Sequence, residues 1–470
     1  MSTAPRIIVV GAGITGLTAA YRLSAVLPEA RITVIEADDR VGGKIRSTPF
    51  AGIDGIDEGA DAFLTRVPHA MALAAELGLG DALTSPAVAS ANVWWNGLHR
   101  IPEGLLLGVP SDLGKLARTK LLTWPGKLRA ALEPILPGTG VAQDSVGLLI
   151  RKRFGKQVHQ RLVDPLVGSI YAADTEQFSL YGVPQIEQLA SNNRSLLIGA
   201  RRTRAKAAEA AENTPAGPIF ATPTAGMAAM TGALAAALAQ RGVEIRLASA
   251  VKRLHRGDIE RGRWLVDGEA ADAVVLATPA KPTGAVLADV SAEAAGSLAS
   301  FVHAGVVMVT LAIPASEWPE PLRNYSGYLV PKPVQQWVTA VSFATAKWNH
   351  WRSRDDDTFL LRISLGRDGR DLTGESDEAL LAAAIDEVGV HLDLKLRPTT
   401  HRITRWPLAF PQYRPGHANK VAGIEAALAR DAPGVFVAGA SYRGIGIPAC
   451  IAQGNAVAVA VSAFLETVSD

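Results

Sequence analysis

The sequence holds a single cysteine, Cys450, among 470 residues. A disulfide within the chain is therefore impossible, a four-cysteine zinc site is excluded, and the composition suits a reducing compartment. Net charge is nearly absent: 47 Lys and Arg oppose 45 Asp and Glu, a formal +2, so no global field recruits nucleic acid or acidic partners. Long apolar runs are missing too. Runs such as Ala304 to Ala315 and Ala456 to Val461 fall short of the ~20 residues a membrane-spanning helix needs. The opening Met1-Ser-Thr-Ala-Pro-Arg6 runs straight into an apolar strand, so the expectation is that no signal or transit peptide is present. The nine histidines lack metal-ligand spacing, and no H-E-x-x-H or cysteine cluster occurs, so no metal centre is expected. Cytoplasmic residence is the expectation.

What is present is ample core material, 48% hydrophobic against 20% charged residues, which predicts a chain folded throughout and divided into two or three domains. The opening reads as a βαβ unit: apolar Ile7 to Val10, a turn at Gly11 to Gly16, a helix Leu17 to Val26 and a strand Arg31 to Glu36. Gly11, Gly13 and Gly16 form G-x-G-x-x-G between strand and helix. The first permits the tight turn, the second lets backbone approach a pyrophosphate, and the third lets helix pack on strand. Glu36, 20 residues after Gly16, is placed to accept hydrogen bonds from ribose hydroxyls and disfavours a 2′-phosphate. This spacing does not separate NAD from FAD.

From about Pro86 to Ala205 the character changes to helices broken by Pro102, Pro110, Pro125, Pro134 and Pro137. A helix Met227 to Arg241 with strands at Glu244 to Leu247, Trp264 to Val266 and Ala273 to Ala277 reads as a return to the first domain. Strand-like runs follow at Val306 to Ala312, Tyr328 to Val330 and Phe359 to Ile363, and Gly434 to Ala463 mirrors the opening as strand, turn and helix. No solenoid-length repeat is visible.

Arg40-Val-Gly-Gly-Lys-Ile-Arg-Ser47 and Asp57-Glu-Gly-Ala-Asp61, with the opening, resemble the FAD-binding N-terminus of the amine oxidase, phytoene desaturase and protoporphyrinogen oxidase superfamily. Leu166-Val-Gly-Ser-Ile-Tyr-Ala-Ala-Asp174, Trp406-Pro-Leu-Ala-Phe-Pro-Gln-Tyr413 before Gly416-His417, and Gly444-Ile-Gly-Ile-Pro-Ala-Cys-Ile-Ala-Gln-Gly454 resemble the oxygen-dependent porphyrinogen oxidases of haem biosynthesis. The resemblance is to their Gram-positive-type branch, which acts on coproporphyrinogen III as well as, or instead of, protoporphyrinogen IX. Two positions depart from the pattern: Ala449, where family members usually carry an acid, and Gly59-Ala60, where Gly-Pro is common. Both look like backbone scaffolding.

The resemblance implies an α/β fold: a Rossmann-like FAD-binding domain built from discontinuous segments (1-66, 224-281 and 416-470), an inserted α-helical domain (86-205) and a mixed-sheet substrate domain (67-85, 206-223 and 282-415). It implies FAD contacts from Gly11, Ala12, Gly13, Ile14, Thr15 and Gly16, from Glu36 and Ala37, and from the turn Gly59, Ala60, Asp61 and Ala62. Val251 follows at the adenine, Trp406 and Ile445, Gly446 and Ile447 at the flavin. Gly42 and Gly43 allow close backbone approach, and Lys44 supplies a cation for the phosphates. Trp406 also reads as a core aromatic. Cys450 invites a covalent flavin, but its motif differs from that of the amine oxidases that make one, so a buried small hydrophobe and non-covalent FAD are expected.

The implied chemistry removes six electrons and six protons from a porphyrinogen in three flavin cycles, each reducing O2 to H2O2. Substrate propionates call for cations at an apolar pocket: Arg66 is the candidate anchor, with a surface arginine as the alternative, and Phe410 and Tyr413 are candidate walls or strand core. Between Gly104 and Leu132, Leu113, Leu116, Leu121, Leu122, Trp124 and Leu128 alternate with Lys115, Arg118, Lys120, Lys127 and Arg129. Peripheral contact with an anionic membrane, a basic rim for substrate and a solvated face all stay open. So do handover to a ferrochelatase, an amine oxidase or carotenoid desaturase activity, and a non-catalytic chaperone that keeps FAD for stability.

Overall fold

A computed structural model describes residues 4–138, 145–213, 217–258 and 263–469; residues 139–144 of the helical stretch lie outside them. Strand β1 (Arg6–Val10) is apolar and buried because both faces of the sheet are covered. Helix α1 (Ile14–Val26) begins three residues before the sequence suggests, inside the glycine turn, with Gly13 as its N-cap. With β2 (Arg31–Ile35) these form a five-stranded parallel sheet in the order Glu244–Arg246, β2, β1, Ala273–Leu276, Val435–Val437. Its strands come from three separated stretches, as the discontinuous Rossmann-like domain requires.

A second, seven-stranded mixed sheet carries the substrate side. Its long members are β3 (His303–Pro314), β4 (Thr358–Leu365) and the edge strand β5 (Thr400–Pro411). The sequence reading found β3 and β4 but missed β5, whose two prolines argue against a strand. Proline is tolerated there because β5 lies at the edge and its ladder jumps: Ala304 pairs with Phe410 and Val306 with Trp406, so Pro407 to Ala409 bulge out opposite Gly305. Residues 91–100, grouped above with the helical stretch, form strands Ala91–Trp94 and Leu98–Arg100 on the far edge of this sheet. The helices follow, including α2 (Trp124–Ala131) and a wide-turn segment His159–Gly168 around Pro165. They enclose a core of their own around Leu149, Phe154, Leu162 and Phe178.

Helix α3 (Ile447–Ser469) closes the chain. Among the described residues it is the one helix long and apolar enough to cross a membrane. Here its Ile451, Val457, Val461 and Leu465 join Leu17 and Leu23 of α1 in the core of the first domain.

Candidate active site

The G-x-G-x-x-G turn explains itself sterically. A Cβ on Gly16 would lie 1.9 Å from the Gly11 carbonyl oxygen, so α1 can leave β1 at this angle only with glycine there. Gly13 is different: its φ is −71°, and an added Cβ would meet nothing within 4 Å. The chain itself does not need a glycine at 13. An open face beside a helix N-terminus that no side chain caps is what the pyrophosphate of a dinucleotide fills, so these residues fit the group the motif implies. Glu36 reaches back across the turn and its Oε2 accepts the Ala12 N–H at 2.6 Å. The Glu36 carbonyl takes Ser249 N–H and the Asp38 carbonyl takes Ala248 N–H, both at 2.8 Å, which brings the approach to half-buried Val251 alongside Glu36 and exposed Ala37.

The turn Gly59 to Ala62 is gripped from the second sheet. Trp406 donates its indole N–H to the Glu58 carbonyl at 3.1 Å, and its ring lies within 3.6 Å of where a Gly59 Cβ would be. Arg362, buried in β4, donates to the Gly59 carbonyl and pairs with Asp61 at 3.1 Å. Asp61 also receives Lys347 at 2.8 Å and the Trp348 indole at 3.1 Å. Burial would raise this carboxyl, but the Lys347 and Arg362 charges hold it well below the usual carboxylate range. Asp61 is therefore a clamp on the turn. The sequence reading missed Arg362, although one arginine inside the apolar run Phe359-Leu-Leu-Arg-Ile-Ser-Leu365 is the signature of an internal ion pair.

Lys44 is expected to supply a cation for the phosphates; within the chain it reaches the second sheet. Its ammonium donates to the Ala409 carbonyl at 2.7 Å, a group freed by the β5 bulge, and burial lowers its pKa to about 8. Ala409 packs with Trp406, Phe410, Val306 and Ala172. Ala172, in the left-handed conformation at φ 47°, belongs to the 166–174 stretch, so two of the family-like segments meet in one apolar wall.

The third segment joins them through Tyr413. Of the two roles open to this residue, substrate wall or core packing, its placement fits the second: it is 1% exposed and both sides of its hydroxyl are used within the chain. The phenol donates to the Ala440 carbonyl at 2.7 Å and accepts the Gly444 N–H at 2.8 Å. Its ring stacks on His417 at 3.7 Å. Burial pushes the phenol well above its ordinary pKa and lowers His417 to about 4, so both are neutral at pH 7. Gln453 finishes the job: its side-chain oxygen accepts the Gly439 and Arg443 amides and its amide donates to the Gly444 carbonyl, each at 3.3 Å. Beyond this fixed loop, Gly446 is exposed and Ile445 and Ile447 are half-buried. Ala449 packs beneath the loop, where a Gly444 Cβ would come within 2.6 Å of its own. Cys450 is buried in the first turn of α3, its thiol pushed up to about 11. Phe410 is half-buried on the wall, and Arg66 is exposed just beyond the short strand Phe63–Leu64.

This geometry is that of a flavoenzyme, and the family model described as flavin containing amine oxidoreductase matches residues 14–462. The chain belongs to that family. Within it, the chain is 34% identical to the coproporphyrinogen III oxidase of Mycobacterium tuberculosis (strain ATCC 25618 / H37Rv), covering 97% of each, and 29% identical to that of Bacillus subtilis (strain 168), covering 96% of each. Identity to the chloroplastic protoporphyrinogen oxidase of Nicotiana tabacum is 25%, over 97% of this chain and 85% of that one. The crystal structure of a protein from Exiguobacterium sp. 255-15, provisionally assigned as a protoporphyrinogen oxidase, superposes with a TM-score of 0.86 at 29% identity, covering 99% of this chain and 100% of that one.

Proposed function

We propose that this protein oxidises coproporphyrinogen III to coproporphyrin III with non-covalently held FAD and O2 as acceptor. Three O2 become three H2O2 as six electrons and six protons leave the macrocycle. The observation that carries this reading is end-to-end similarity to the coproporphyrinogen III oxidases, stronger than to the chloroplast protoporphyrinogen enzyme. When bound, the flavin supplies the two-electron acceptor chemistry. The chain's own work is placement: the α1 N-terminus receives the pyrophosphate, Glu36 faces the adenosine end, and the braced 444–447 loop, Trp406 and the Gly59 turn frame the ring. Ala172, Val306 and Phe410 keep water from it. Arg66, exposed and with no partner among the described residues, anchors a propionate at the rim.

Aerobic turnover of FAD-loaded protein with coproporphyrinogen III and protoporphyrinogen IX in parallel tests this. Faster coproporphyrin formation with about three H2O2 per porphyrin is the expected result, since each flavin cycle moves two electrons. Preference for protoporphyrinogen IX would move the enzyme to the other substrate, and silence with both would defeat the reading.

We place the protein in the cytoplasm, in peripheral contact with membrane through the helical stretch. Leu116, Leu121 and Leu122 are core, but Trp124, Leu128 and Ile135 are 70%, 66% and 71% exposed on and just after α2. Residues 112 to 206 hold 15 Lys and Arg against 7 Asp and Glu, although the whole chain is balanced. Apolar side chains among basic ones favour an anionic lipid surface. Flotation with vesicles rich in anionic lipid should carry the protein upward; failure to float removes the contact.

A further inference from the structure

Lys44 has no carboxylate within ion-pair distance among the described residues, and its one hydrogen bond is to a backbone carbonyl. A half-buried ammonium left with a single neutral acceptor is an incomplete arrangement: two of its N–H donors and its charge want a partner. The surroundings say which. Lys44 lies beside Ala409, in the bulge between Trp406 and Phe410, and its titratable neighbours are Cys450, in the first turn of α3, and His303, at the start of β3. Its own backbone crosses the flavin-side turn so closely that a Gly59 Cβ would lie 2.7 Å from the Lys44 carbonyl oxygen. The residues assigned to the ring end of the cofactor thus surround Lys44. The pyrophosphate end is provided for separately, by the uncapped N-terminus of α1.

We propose that Lys44 faces the redox ring of the bound flavin rather than its pyrophosphate, and that it stabilises the negative charge the ring gains on reduction. The inference rests on the reading that FAD binds at this site. Reduction loads negative charge onto the pyrimidine side of the isoalloxazine, and charge placed near that ring is how a protein tunes it. A cation in a water-poor setting acts there far more strongly than the same cation in solvent. His303 and Cys450 do not compete as charges: burial lowers the former to about 4 and raises the latter to about 11, so both are neutral at pH 7.

The test compares FAD-loaded wild type with Lys44→Arg, Lys44→Met and Lys44→Gln, and needs no porphyrinogen. Sulfite donates its electron pair to the oxidised ring and leaves negative charge on the pyrimidine, so sulfite affinity, read from loss of visible flavin absorbance, reports the local cation. Lys44→Met and Lys44→Gln should retain FAD, bind sulfite at least tenfold more weakly and show a lower flavin midpoint potential, with Lys44→Arg close to wild type. Unchanged sulfite affinity and potential in FAD-loaded neutral variants would overturn the proposal. So would neutral variants that cannot hold FAD while Lys44→Arg can, because that places the cation on the phosphates. A wild type that binds no FAD would instead defeat the cofactor reading itself.

Discussion

Tyr413 and Gly444, 31 positions apart, share a 2.8 Å hydrogen bond in which the loop amide donates to the phenol while the phenol donates onward to the Ala440 carbonyl. One side chain just beyond the end of β5 thereby sets the loop that precedes α3. Tyr413→Phe keeps the ring on His417 but strands the Gly444 amide and the Ala440 carbonyl, a cost of about 1–3 kcal/mol for a group left unsatisfied. The expected outcome is a lower Tm and weaker FAD binding, read by thermal unfolding and flavin fluorescence. Unaltered FAD affinity would show that the loop holds its shape without the brace.

The last two glycines of the motif, Gly13 and Gly16, should separate folding from cofactor binding. Gly16→Ala forces a Cβ into the Gly11 carbonyl and should prevent the first domain from folding. Gly13→Ala meets no atom of the chain, so the apoprotein should melt at the wild-type temperature while FAD affinity falls at least tenfold. Apoprotein melting and flavin titration of the same preparation check both halves.

Asp57 gives a pH signature. Its carboxyl is buried, with Oδ1 accepting from the Ser47 hydroxyl and, at 2.9 Å, from the Met227 amide, while Oδ2 has no partner. Burial, only partly offset by the Ser47 bond, raises its pKa from 3.8 to about 7. The folded protein therefore holds this proton more tightly than the unfolded chain. Its contribution is fully present below about pH 4 and is lost as pH rises to 7, with a slope of at most ~1.4 kcal/mol per unit. Asp57→Asn should gain on wild type across that window in denaturant titrations, and a constant difference between the two would refute the assignment.

Cys450 should neither carry the flavin nor react. In the native protein at pH 8 the thiol should resist iodoacetamide and label only in urea, given its burial and raised pKa. Acid or heat precipitation should release free FAD, and Cys450→Ala should keep its yellow colour. Flavin that stays with the precipitated chain would establish a covalent bond.

Much of the fold was legible in local pattern. The βαβ opening, the apolar strands β3 and β4 and the closing strand and helix all follow from periodicity with glycine punctuation. The edge strand β5 was not, because Pro407 and Pro411 read as breakers unless the neighbouring strand and the bulge are known. The candidate contact residues were proposed from motif, but the side chains that hold those segments in place were not. Arg362, Lys347 and Trp348 reach Asp61 across separations of about three hundred residues, and no spacing rule ties them to it. Tyr413 and Lys44 show the same limit: residue type suggests a role, but their partners, Ala440, Gly444 and Ala409, lie beyond any local pattern.

The five-stranded sheet also governs how this protein is made. Its centre is formed by β1 and β2, but an outer strand, Val435–Val437, and the helix covering α1 leave the ribosome only after the whole of the second sheet. Until then the nascent chain presents an unfinished sheet with Ala273–Leu276 as an open edge, the kind of surface that recruits chaperones or another chain's strand. Premature termination after Leu276 and before Val435 should consequently yield an insoluble fragment rather than a weakened enzyme.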